Sequence, residues 1–153
     1  MGFSDELRYD HEVLRAKLST LEGYLPSCRE CACTLSRLTD SLATCLRSHT
    51  EREEQLLATL AGRQRTPWGE PLQHLHDAHE NQRMRLAILH ALLTAPEPAS
   101  EEQIATHASY LVKDLREHMA AEERQLFPII DRAGGDEVAA PADETSVELL
   151  GLA

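Results

Sequence analysis

The stretch His118-Met119-Ala120-Ala121-Glu122-Glu123-Arg124-Gln125-Leu126-Phe127-Pro128 lies on an otherwise apolar seam. Ile104, Ala108, Leu111 and Leu115 lead into it, and Leu126 and Ile129 continue it, at spacings of three and four. That spacing marks one buried helix face. His118 and Glu122 are four residues apart, so they share that face one turn from each other. A carboxylate left alone in a dry core costs several kcal/mol, so it protonates or finds a strong partner.

The motif has a twin. His49-Thr50-Glu51-Arg52-Glu53-Glu54 sits on the seam Leu35, Leu38, Leu42, Cys45, His49, Glu53, Leu56, Leu60. Two further seams each carry a core-facing histidine. One reads Leu7, His11, Leu14, Leu18, Leu21, Leu25; the other reads Leu72, Leu75 or His76, His79, Arg83, Leu86, Leu89 or His90, Leu93. Asp10-His11-Glu12 parallels Ala78-His79-Glu80, and the offsets between the two halves are 68 residues for the lone histidines and 69 for the His-x-x-x-Glu motifs. A helix pair repeated in this way gives a bundle with a pseudo-two-fold axis.

Turn chemistry bounds the helices. Ser4 is the expected N-cap of the first, and Pro26 stops it. The second begins between Ser27 and Thr34 and is expected to end at Ala61 with Gly62 as its C-terminal residue. Thr66-Pro67-Trp68-Gly69-Glu70-Pro71 is a turn cluster, and the third helix runs from about Pro71 to Thr94. Ala95-Pro96-Glu97-Pro98 breaks the chain again, and Ser100 with Gln103 forms a capping box for the fourth. Gly134 and Gly135 end that helix. Short connections make neighbouring helices antiparallel. The expected fold is therefore all-α, an up-down-up-down four-helix bundle over residues 1–132, with an acidic tail over 133–153 in which Thr145 to Leu150 has the pattern of a short amphipathic turn.

Composition agrees. The 153 residues suit one domain, charged residues make up 27% with both signs mixed, and aromatics only 4%. The formal net charge of −11 argues against a nucleic-acid partner. No apolar run is long enough to span a bilayer, so no membrane partner is expected. The first residues lack a basic start and an apolar stretch, which points to a cytoplasmic location with Cys28, Cys31, Cys33 and Cys45 reduced.

Folding the chain at its turns brings His11, His49, His79 and His118 to one cross-section. Four imidazoles and two carboxylates there make a metal site, in which the carboxylates can bridge two cations and the histidines complete each side.

From Leu7 to about Ile130 the pattern resembles the hemerythrin-like, or HHE cation-binding, family. That family carries a lone His on helices one and three and His-x-x-x-Glu on helices two and four. A Leu-Phe-Pro often follows, here Leu126-Phe127-Pro128. The resemblance implies a non-haem di-iron centre with His11, His49, Glu53, His79, His118 and Glu122 as ligands, the glutamates bridging two iron ions together with an oxo or hydroxo group. Oxygen-carrying hemerythrins use His-x-x-x-His on helix three and His-x-x-x-x-Asp on helix four. Here the matching positions hold Leu75 and Glu123, while His76 is a candidate fifth histidine. The departure favours the four-histidine branch, which resembles iron-centre repair, nitric-oxide-responsive and peroxide-handling proteins.

The expected ligands are O2, H2O2 or NO, with peroxide- or NO-directed oxidoreductase activity. The alternative is oxygen or redox sensing, or iron storage and delivery, without turnover. Manganese and zinc accept similar ligands. Leu14, Leu42, Leu56, Leu86, Leu115 and Leu126 are expected to wall a dry, narrow pocket. Glu12, Glu54, Glu80 and Glu123 are available to orient the histidines, and Tyr9 and Tyr110 could approach from one turn away. Cys45 reads as a small core residue. Cys28-x-x-Cys31-x-Cys33, with His90 and His107 at the same end of the bundle, outlines a candidate second metal or thiol site.

Overall fold

The computed structural model describes residues 2–64, 69–97 and 99–135, without the side chains of 63–64 and 69–72. Residues 66–68 of the expected turn, Pro98, the Leu72 side chain and the tail from 136 onward lie outside the described residues.

Helix α1 spans Asp5–Tyr24, α2 Ala32–Gln64, α3 Gly69–Thr94 and α4 Glu101–Ala121. A five-residue π-helical segment, Glu122–Leu126, joins α4 to α5, Phe127–Gly135. Each helix packs on its neighbours in sequence, and α1 also packs on α4, which closes a four-helix ring. The described residues contain no strand, and no described helix is long and apolar enough to cross a membrane.

The helix ends follow local chemistry, with two corrections. Ser100 accepts from the Gln103 backbone N–H at 3.1 Å, and the Gln103 side chain reaches back to the Ser100 N–H, completing the capping box. Ser4 occupies the N-cap place of α1, but its hydroxyl donates to Asp131 in α5 at 2.8 Å instead of capping. Asp5 and Glu6 stand in the first turn, where negative charge suits the helix dipole. At the other end of the pair, α2 runs through Gly62 to Gln64. Glycine inside a helix costs only about 1 kcal/mol, which the long packed helix absorbs.

Two apolar clusters fill the ring. The larger contains Leu14, Leu18, Leu42, Leu86, Leu111 and Leu115; the smaller contains Leu7, Leu57, Leu60, Phe127 and Ile130. Each fully buried leucine contributes about 1.5–3 kcal/mol. A polar layer holding His11, His49, Glu53, His79 and Glu122 lies between them along every helix.

The seams shift at two places. On α2, Leu57 is buried and Leu56 only partly. On α5, Phe127 and Ile130 are buried where the even spacing places Leu126 and Ile129. The cause is the π segment: the Phe127 N–H bonds to the Glu122 carbonyl, five residues back. Pro128 follows at once. In an α-helix its ring would clash with the carbonyl four residues earlier, and a wider turn relieves this.

Candidate metal centre

Six side chains meet in the polar layer. Helix α1 contributes His11, α2 His49 and Glu53, α3 His79, α4 His118, and the start of the π segment Glu122. All are buried except His118, which keeps 17% of its side chain exposed.

The histidines form two pairs. The Nε2 atoms of His11 and His49 face each other at 3.2 Å, and the rings of His79 and His118 meet edge to face. Glu122 stands between the pairs. Its Oε2 lies 3.1 Å from His11 Nε2 and 3.9 Å from His49 Nε2, while its Oε1 lies 2.5 Å from His118 Nε2 and 3.8 Å from His79 Nε2. Glu53 also touches both pairs, with Oε2 3.3 Å from His79 Nε2 and 4.0 Å from His49 Nε2. Two triads result, His11–His49–Glu122 and His79–His118–Glu122, each with its ligating atoms within 4.8 Å of one another.

The donor set fits cations. Both oxygens of Glu53 and Glu122, and the Nε2 atoms of His79 and His118, are buried without a well-formed hydrogen bond. Imidazole nitrogens and carboxylate oxygens converging without partners are what a transition-metal or zinc ion satisfies.

Without metal, protons must hold the cluster together. Burial lowers the pKa of His79, but Glu122, Glu53 and Glu54 outweigh it and raise the value to about 10. His11 is raised in the same way, by Glu122 and Glu123 against burial. Burial pushes Glu53 up. Burial acts on Glu122 likewise, yet contacts with His11, His118, His49 and His79 hold it well below the usual carboxylate range. Glu122 is thus the charged carboxylate of the layer.

The outer nitrogens of three rings face carboxylates. Glu123 Oε1 lies 2.9 Å from His11 Nδ1, Glu54 Oε1 2.9 Å from His79 Nδ1, and Asp10 Oδ2 3.5 Å from His49 Nδ1. The two contacts at 2.9 Å fix the tautomer and turn Nε2 inward, whereas Asp10 and His49 approach without a hydrogen bond. Phe127 stacks on the His11 ring and floors that side of the layer.

The profile of the Hemerythrin HHE cation binding domain matches residues 70–150, more than half of the chain. The chain belongs to the hemerythrin HHE cation-binding family. No curated protein and no solved structure matches it. An HHE domain binds metal cations, and the two His/Glu triads are where the described residues could hold them. The matched span carries His79, His118 and Glu122; His11, His49 and Glu53 precede it and reach the same layer through the fold.

Other residues singled out in the sequence lie elsewhere in this HHE domain. His76 is half exposed, with Nδ1 3.5 Å from Glu54, apart from the six side chains of the layer. Tyr9 is exposed, and Tyr110 lies under the Arg85 guanidinium at the surface, so neither approaches the layer. Glu12 is exposed and Glu80 pairs with Arg83, leaving Glu54 and Glu123 to face the rings. All four cysteines are free thiols. Cys28 is buried with its Sγ 4.0 Å from the Glu101 carbonyl, Cys33 and His107 are exposed, and His90 faces Asp40 at 3.1 Å. Among the described residues these cysteines and histidines form no metal-holding group, and His90 turns to Asp40 on α2.

Two residues escaped the sequence reading. Asp10 precedes His11 and turns towards α2. Gln82 is buried three residues after His79, at the place the seam assigned to Arg83. The series His79, Gln82, Leu86, Leu89, all buried, would have found it.

Proposed function

We propose that this HHE domain holds two iron ions, one at each triad, with Glu53 and Glu122 shared between them, and acts on a small ligand of the class O2, H2O2 or NO. The observation that carries the reading is Glu122, one oxygen towards each histidine pair, deep in a layer where a carboxylate without a cation is costly. When bound, the irons supply open coordination positions and redox electrons.

The chain's own residues do the rest. Glu123 and Glu54 hold the outer nitrogens of His11 and His79 so that their Nε2 atoms point inward, and Asp10 approaches that of His49. The two apolar clusters close the layer above and below and keep bulk water and organic substrates out. Peroxide- or NO-directed oxidoreductase chemistry is favoured over reversible oxygen carriage, because Leu75 and Glu123 replace the carriers' residues. The net charge of −11 supports a role away from nucleic acid and from anionic membrane surfaces, and the reading places the protein in the cytoplasm.

Elemental analysis and an optical spectrum of the purified protein test this. Two irons per chain are expected, with a lower melting temperature in His49→Ala. A protein without iron, whose melting temperature His49→Ala leaves unchanged, overturns it. Peroxide consumption by the loaded protein then separates turnover from sensing or storage.

A further inference from the structure

The two halves of the repeat differ on one wall of the layer. His49 and His118 hold equivalent places, as do Asp10 and Ala78, the residues before His11 and His79. Asp10 faces His49 Nδ1. Ala78 has no carboxylate to offer, and among the described residues the outer nitrogen of His118 meets none. His49 is 2% exposed and His118 17%. A cleft of about 260 Å³ opens there, lined by Ala78, Gln82, Asp114, Glu117 and His118 among others.

The asymmetry extends one turn along. Leu14, three residues after His11, is buried in the larger apolar cluster. Its counterpart three residues after His79 is Gln82, equally buried, and the Gln82 Oε1 has no hydrogen-bond partner. Burying an amide oxygen unsatisfied costs about 1–3 kcal/mol. A leucine fills the equivalent place in α1 without that cost. Gln82 also lines the cleft that opens onto His118, so a residue with an unsatisfied amide oxygen stands in the cleft wall.

We propose that this cleft is the entrance to the metal layer, on the His118 side only, and that Gln82 is a positioning residue for a small ligand that both donates and accepts hydrogen bonds, such as hydrogen peroxide. The inference rests on the metal reading above and narrows its ligand class. An amide offers both kinds of group. Peroxide has O–H groups to give to Oε1, whereas O2 and NO have none and leave it unsatisfied. Asp114 and Glu117 outnumber the one arginine of the lining, Arg85, so the cleft does not favour anions over neutral molecules. On the opposite side Asp10 stands 3.5 Å from the His49 Nδ1.

Two readouts test this. In the chelated protein, hydrogen–deuterium exchange at the imidazole C2 positions, read by mass spectrometry, is expected to be several times faster for His118 than for His49, and Ala78→Leu is expected to slow His118 alone. In the iron-loaded protein, Gln82→Leu is expected to slow the spectral change on mixing with hydrogen peroxide about tenfold, the equivalent of one hydrogen bond. The response to NO and the iron content should stay as they were. Equal exchange at His118 and His49 overturns the entrance, and equal effects of Gln82→Leu on peroxide and NO overturn the ligand class. If the metal reading alone fails, no iron binds while His118 still exchanges faster. If this inference alone fails, iron binds and the two histidines exchange alike.

Discussion

Glu123 sits 2.9 Å from the Nδ1 of His11, one residue beyond the glutamate that faces the same ring's Nε2. Glu54 and His79 repeat the arrangement at 2.9 Å in the other half. The repeated Glu-Glu pair therefore serves both sides of the rings, one carboxylate inside and the next outside. Glu123→Gln and Glu54→Gln should each weaken metal binding roughly 10- to 100-fold, measured by competition with a chromophoric chelator. Asp10→Asn should cost less, because its contact with His49 is longer, at 3.5 Å. Equal affinities in all three variants would remove the orienting role.

Glu122 belongs to both triads, whereas each histidine belongs to one. Glu122→Gln is therefore expected to lose both metals, and His11→Ala only the one on its own side, as read by metal stoichiometry. Truncation of a shared ligand that left one metal in place would show that the two positions are independent.

The bundle was legible because its seams are regular and its buried polar residues repeat. His11, His49, Glu53, His79 and Glu122 are all core positions in the structure, and His118 lies beside them. The spacing failed past Glu122, where the π segment advances the buried face from Leu126 to Phe127. No propensity marks a π turn, although Pro128 directly after it is a physical cue. Asp10 and Gln82 were missed for a different reason. Their roles depend on which neighbouring helix they meet, and the expected dry leucine wall holds only in part, since Gln82 breaks it on one side.

The metal-free protein should carry an alkaline limit that the loaded protein lacks. The folded pKa of His79 is raised to about 10 from an ordinary 6.5. A raised pKa stabilises fully below the unfolded value, and the contribution is lost as pH rises through the folded one. Melting temperatures of chelated protein should therefore fall between neutral pH and about pH 10. His79→Gln should flatten that limb, and metal, which replaces the proton, should abolish it. On the acid side the signs reverse. Glu54 and Glu123 are lowered, against burial, by His79 and by Arg15 with His11 respectively. Their contribution is present above the ordinary carboxylate range and disappears as pH falls through the folded values. A chelated protein equally stable from neutral to strongly alkaline pH would contradict the assignment.

The last prediction concerns the latch between the chain's start and α5. The Ser4 N–H and hydroxyl both donate to Asp131 at 2.8 Å, and Arg8 approaches the same carboxylate at 3.8 Å. Hydrogen bonds to a charged acceptor contribute about 1.5–3 kcal/mol. Asp131→Ala removes the acceptor and leaves a partly buried N–H unpaired. In a chain of this size each kcal/mol lowers the melting temperature by roughly 2–4 °C, so a fall of several degrees is expected by calorimetry. Gly134→Ala acts on the same junction through sterics, because a Cβ there would collide with the Phe3 ring. Phe3 is 43% exposed and can swing outward, so the smaller loss belongs to Gly134→Ala. The reverse order would mean that ring packing, and not the Ser4–Asp131 pair, holds the N-terminus in place.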